Sequence, residues 1–134
     1  MPHANSIGLD VGSRRIGVAL SREGVRLASP LTTLQVDGTE IDRICELVVA
    51  HQAACIVIGY PRNQSGDPTA QSRDVEEFAT RLEARVSVPL HFQDESLTSV
   101  LAEDQLKAQK KPYRKEDIDA RAAALILQDY IEIV

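Results

Sequence analysis

Two strand-forming runs near the start of the chain, Ser6-Ile7-Gly8-Leu9-Asp10-Val11 and Arg15-Ile16-Gly17-Val18-Ala19-Leu20, have only Gly12-Ser13-Arg14 between them. A link that short cannot carry a crossover, so the two runs must pair antiparallel. Residues 24–28 are expected to add a third strand to this meander, with Pro30 and Gly38 marking the connection onward. Beyond that point the pattern changes. Ile41, Ile44, Cys45 and Val48 recur at helical spacing and predict a helix over 39–51. Cys55-Ile56-Val57-Ile58-Gly59 is a short, wholly apolar run, as in an interior strand covered on both faces. Val75, Phe78, Ala79 and Leu82 mark a second helix, after a turn-rich loop that begins at Tyr60. Leu90-His91-Phe92 is a strand running into Gln93-Asp94-Glu95, and helices follow over 98–107 and 118–131, the last capped by Asp117 or a neighbour. Strands joined through helices lie parallel. The expected fold is therefore α/β: a mixed sheet, an antiparallel three-strand meander followed by parallel strands, with helices on both faces.

The length, 134 residues with 43% apolar, suits one domain over 1–134. With aromatics at 4% and no tryptophan, the core must be Val, Ile, Leu and Ala between layers. Residues 1–6 show no leader-like pattern and no run approaches the ~20 apolar residues that span a bilayer, so a cytoplasmic protein is expected. Cys45 and Cys55 lack the close Cys/His pairing of a zinc site and are expected to be small buried hydrophobes. A net charge of −5 argues against a generally basic nucleic-acid binder, so any such contact must come from local clusters.

Asp10 ends an otherwise apolar strand, where an unpaired carboxylate is costly and a cation would remove the cost. Ligand sites in open sheets of this kind gather at the carboxyl ends of the strands, where Asp10 and the Asp94-Glu95 pair both fall. Adjacent residues on a strand diverge, so only one acid of that pair faces the same site as Asp10, and spacing alone leaves the choice open. From Asp119, helical steps reach Ala122, Ala123, Ile126, Leu127 and Tyr130, which places this carboxylate on the buried stripe; Arg121, Gln128 and Asp129 fall on the surface side.

Ile7-Gly8-Leu9-Asp10-Val11-Gly12-Ser13-Arg14-Arg15-Ile16-Gly17-Val18-Ala19 resembles the opening motif of the YqgF family, also called RuvX. Val57-Ile58-Gly59-Tyr60-Pro61-Arg62-Asn63 through Gly66, Gln93-Asp94-Glu95-Ser96-Leu97-Thr98-Ser99, and Ile118-Asp119 with its Ala-rich helix resemble the later motifs, in order. The resemblance covers nearly the whole chain and implies an RNase H-like fold with Asp10, Glu95 and Asp119 as catalytic, metal-binding acids. It selects Glu95 over Asp94. It also implies a nuclease of ribosome biogenesis that processes the 5′ end of pre-16S ribosomal RNA, or alternatively a Holliday junction resolvase. Ser96 stands where the family often has an arginine, which bears on substrate affinity more than on the acids.

The chemistry so implied is hydrolysis of phosphodiesters assisted by Mg²⁺ or Mn²⁺, hard ions that suit clustered carboxylates. No protein nucleophile is needed, and His91, His3 and His51 are expected to be structural. Nucleic acid is the expected partner, contacted by Arg14, Arg15, Arg62 and Asn63 and by the basic stretch Lys110, Lys111, Arg114 and Lys115 beside Tyr113. Monomer and homodimer remain open, and no membrane partner is expected. Two rivals stand beside this reading. Asp10-Val11-Gly12-Ser13 also resembles the first phosphate loop of actin-like and sugar-kinase ATPases, but those need two such domains. A catalytically silent nucleic-acid-binding module would keep the fold without the activity.

Overall fold

The computed structural model describes residues 4–62, 65–95 and 98–133. Its elements are β1 (Ser6–Val11), β2 (Arg15–Ser21), β3 (Ala28–Gln35), α1 (Glu40–Ala50), β4 (Cys55–Pro61), α2 (Ala70–Glu83), β5 (Leu90–Glu95), α3 (Thr98–Ala108) and α4 (Lys115–Ile133). They form one sheet in the order β3-β2-β1-β4-β5. The first three strands are antiparallel neighbours, while β4 joins β1 and β5 in parallel. This is the mixed sheet expected from the short first link and the later helical crossovers.

Alternation along the strands splits the interior into two layers. Ile7, Leu9, Ile16, Val18, Ile56 and Ile58 face Ile44 of α1 and Val75, Phe78 and Leu82 of α2. On the other face, Ala19 and Val57 meet Ala123, Ala124, Ile126 and Leu127 of α4. The sheet residues on this second face are small, so α4 lies very close to it. A Cβ at Gly17 would stand 1.9 Å from the Asp119 carbonyl oxygen, so only glycine admits the helix there.

Three boundaries differ from the sequence reading. The third strand is not 24–28 but Ala28–Gln35, and it runs through Pro30. Gly24 instead sits at φ +79° in a turn closed by Val25 N–H donating to the Arg22 carbonyl. Proline is tolerated because β3 is a sheet edge, and the ladder shifts register between Val18 and Ala19, opposite Pro30. β4 continues through Tyr60 and Pro61, because buried Ser72 donates its hydroxyl to the Pro61 carbonyl and ties the strand end to the capping box of α2. Finally, α4 begins at Lys115, so Asp117 lies within its first turn and reaches back to accept from the Arg114 N–H at 2.8 Å.

Both cysteines are half-buried rather than enclosed, with Cys45 Sγ donating to the Arg85 carbonyl and Cys55 Sγ beside Ser6 Oγ. Gln128, expected at the surface, is half-buried and engages the start of the edge strand: its Oε1 accepts from the Ala28 N–H and its Nε2 donates to the Arg26 carbonyl. Arg121 is likewise half-buried, while Asp129 is exposed as expected. Among the described residues no helix is long and apolar enough to cross a membrane.

Candidate active site

Asp10 pairs with Gly17 across the β1–β2 hairpin, and the parallel register Leu9 to Ile58 brings the next residue of β1 beside Gly59 of β4. Glu95 closes β5 opposite Pro61. Asp10 and Glu95 thus reach the carboxyl ends of parallel strands, on the face that α4 covers, and Asp119 descends from the second turn of α4. The three carboxylates feel one another. Burial, then the negative charges of Glu95 and Asp119, push the Asp10 carboxyl up to about 7.

Gly59 makes room for this meeting. A Cβ there would lie 2.5 Å from Glu95 Oε2 and 2.6 Å from Ile126 Cδ1, so any side chain would evict the carboxylate or the helix. Sequence reading took Gly59 only as the end of an apolar strand and missed this role.

The acidic pair resolves by strand alternation. Asp94 pairs with Tyr60, on the α2 face, and its carboxylate, with 70% of the side chain exposed, accepts from Arg62 Nε at 2.8 Å. Arg62 also lies over the Tyr60 ring, 4.7 Å from its centroid. Glu95 points the other way, towards Asp10.

Asp119 has a second partner: Arg15 Nε donates to its Oδ2 at 2.5 Å. The donor set of the three acids is all hard oxygen, and the repulsion that lifts Asp10 is what a divalent cation offsets. The residues therefore fit such an ion. Among the described residues no three acid, cysteine or histidine side chains are gathered tightly enough to hold one as they stand, which accords with Asp119 being held by Arg15.

A groove of about 720 Å³ opens between the β1–β2 turn and α2, and Asp119, alone of the three acids, lines it together with Arg15. Its far wall carries Gln71, Asp74, Phe78 and Arg81, spaced by three and four residues along one stripe of α2. That spacing was visible in the sequence, but nothing local tied the stripe to Asp10.

Of the other candidate contacts, Arg14 is exposed on the groove rim, whereas Arg62 is turned to Asp94 on the α2 face of the sheet, away from Asp10 and Glu95. Lys110, Lys111 and Arg114 are exposed between α3 and α4, where Lys110 takes φ +59° to close the end of α3, and Lys115 is exposed as the first residue of α4. Asn63, Ser96 and His3 lie outside the described residues. His91 stacks on Tyr130 of α4 with ring centroids 5.5 Å apart.

The sheet order and its layers define an RNase H-like fold, and solved structures agree. The chain is similar to Thermus thermophilus RuvC bound to a Holliday junction substrate, with a TM-score of 0.63 at 14% identity over 98% of this chain and 96% of the other. It is also similar to the fowlpox virus resolvase in complex with junction DNA, with a TM-score of 0.58 at 10% identity over 97% and 98%. Residues 4–133 match the RuvX family, described as Holliday junction resolvases, and the chain belongs to that family. Relatives named "Putative pre-16S rRNA nuclease" include one from Roseiflexus sp. (strain RS-1), 42% identical over 94% of this chain and 92% of its own length. Another, from Synechococcus elongatus, is 38% identical over 98% and 91%.

Proposed function

We propose that this chain is a single nuclease domain that hydrolyses nucleic-acid phosphodiesters with Mg²⁺ or Mn²⁺ held by Asp10, Glu95 and Asp119, and that its substrate is the 5′ end of pre-16S ribosomal RNA. The reading is supported by the way β1, β5 and α4 bring Asp10, Glu95 and Asp119 to the carboxyl end of the sheet, where burial and the other two charges push the Asp10 carboxyl up. The names of the relatives support the RNA substrate. When bound, the ion would activate water for attack and stabilise the leaving oxygen. The protein's own part is to hold the acids together against their repulsion. Arg14 and Arg15 beside the groove, with Lys110, Lys111 and Arg114 between α3 and α4 and Lys115 at the start of α4, supply the phosphate contacts, while Arg62, paired with Asp94 on the other face, stands apart from them.

A second reading, cleavage of four-way DNA junctions, is favoured by the family description and by the RuvC likeness. One assay tests both. Labelled pre-ribosomal RNA and a four-way junction are incubated with Mg²⁺, Mn²⁺ or EDTA, using the unsubstituted protein and Asp10→Asn. Metal-dependent cutting of the RNA that is lost in Asp10→Asn is the expected result. Preference for the junction installs the second reading, and no cutting of either substrate leaves only a binding module.

A further inference from the structure

We propose that Asp119 aims Arg15 as a phosphate clamp, so that this acid, before any metal arrives, strengthens nucleic-acid binding; the inference rests on the nuclease reading above. Arg15 spends one nitrogen on Asp119, its Nε donating to Oδ2. Nη1 and Nη2 make no hydrogen bond or ion pair among the described residues. A guanidinium held through Nε has lost most of its torsional freedom while its Nη edge stays open, and that edge matches two oxygens of a phosphate. A free arginine would lose that rotamer entropy on binding; one already fixed in the folded protein does not.

Arg15 opens onto a groove of mixed charge, so an anion there must be met by the guanidinium itself. Arg15 and Asp119 line the groove between the β1–β2 turn and α2, whose other cations are Arg14 and Arg81. Its acids besides Asp119 are Asp74, Glu77 and Glu40, the last turned onto the Asp37 and Gly38 amides, and the charge of Glu116 also reaches Arg15. The groove floor includes Val75 and Phe78, with the Arg81 guanidinium 5.7 Å from the Phe78 ring. An anion reaching the Nη edge of Arg15 therefore stands next to an acid of the site, with Asp119 and the phosphate on opposite sides of one planar group.

The inference reverses a sign. By charge alone, removing Asp119 should tighten binding of any polyanion. The test measures dissociation constants in EDTA, by anisotropy, for a cleavage-resistant single-stranded RNA and a four-way junction. Asp119→Ala is expected to weaken binding of the preferred ligand about tenfold, the scale of one charge-assisted hydrogen bond. Asp119→Asn, which keeps an oxygen for Nε and loses the same charge, should stay near the unsubstituted protein. In an Arg15→Gln background, Asp119→Ala should add nothing. Arg15→Lys keeps the charge without the fork and should also weaken binding about tenfold, which holds the test open if Asp119→Ala folds poorly. Tightening, or no change, in Asp119→Ala overturns the clamp, as does Arg15→Lys binding normally. If the unsubstituted protein binds neither ligand, the nucleic-acid reading falls and takes the clamp with it.

Discussion

In metal-free buffer at pH 8, Asp10→Asn is expected to be more stable than the unsubstituted protein. The Asp10 carboxyl sits at about 7 against an ordinary 3.8, raised by burial and by Glu95 and Asp119. Between those two values the folded protein holds a proton that the unfolded chain has released, so stability falls as pH rises through this window and levels off above it. Each unit of difference is worth about 1.4 kcal/mol, which gives a loss of about 4 kcal/mol between pH 4 and pH 8, a large share of a domain's typical 5–15 kcal/mol. Asparagine carries no charge at any pH and escapes the loss. Urea unfolding followed by circular dichroism at pH 5 and pH 8 in EDTA measures it, and the acids remote from Asp10, common to both proteins, cancel in the difference. The gap in favour of Asp10→Asn should widen by about 2.5 kcal/mol from pH 5 to pH 8. Mn²⁺ should then stabilise the unsubstituted protein and leave Asp10→Asn nearly unmoved. Parallel pH dependence of the two proteins would refute the reasoning, because it would mean that Asp10 ionises in the folded state as freely as in the unfolded chain.

Gly17→Ala forces a Cβ into the backbone of α4 at Asp119, which cannot yield as a side chain would; thermal melts should show a loss of about 3 kcal/mol or more, with cleavage lost alongside. Glu95→Gln should abolish cleavage while Asp94→Asn retains it, since Asp94 is exposed and turned to Arg62; equal losses in both would place the acidic pair wrongly. Ser72→Ala removes a buried donor to the Pro61 carbonyl and half of a capping box, and urea titration should show a cost of about 1–3 kcal/mol.

The meander and the crossovers were legible because link length and hydrophobic period are local. The first link of three residues dictated the hairpin, and Val75, Phe78, Ala79 and Leu82 announced α2 as it stands. The third strand was misplaced because Pro30 reads as a strand breaker unless the strand is known to be an edge, and sheet order is not written locally. Asp10 and Asp119 stood out by their apolar settings. Glu95 did not, because its neighbour Asp94 carries the same charge and only the register with β4 separates their faces. The roles of Gly59 and of the Arg15 to Asp119 bond depend on chain segments far apart in sequence, 104 residues in the second case, and no window of sequence contains both partners.

α4 both closes the core and delivers an acid, and this governs how the site handles its own repulsion. Ala123, Ile126 and Leu127 bury against the sheet further along the helix, while near its start the backbone at Asp119 rests on Gly17. A helix seated on backbone has no room to approach and loses core contact if it retreats. Glu95 is hemmed in likewise by Ile126 and the bare Cα of Gly59. The carboxylates therefore cannot separate by backbone movement as acids on loops would. Their repulsion is met chemically instead, by the heightened hold of Asp10 on a proton and by the Arg15 bond to Asp119. Under the proposed function a divalent cation would replace both, and the packing of α4 would then be what makes the site take up positive charge.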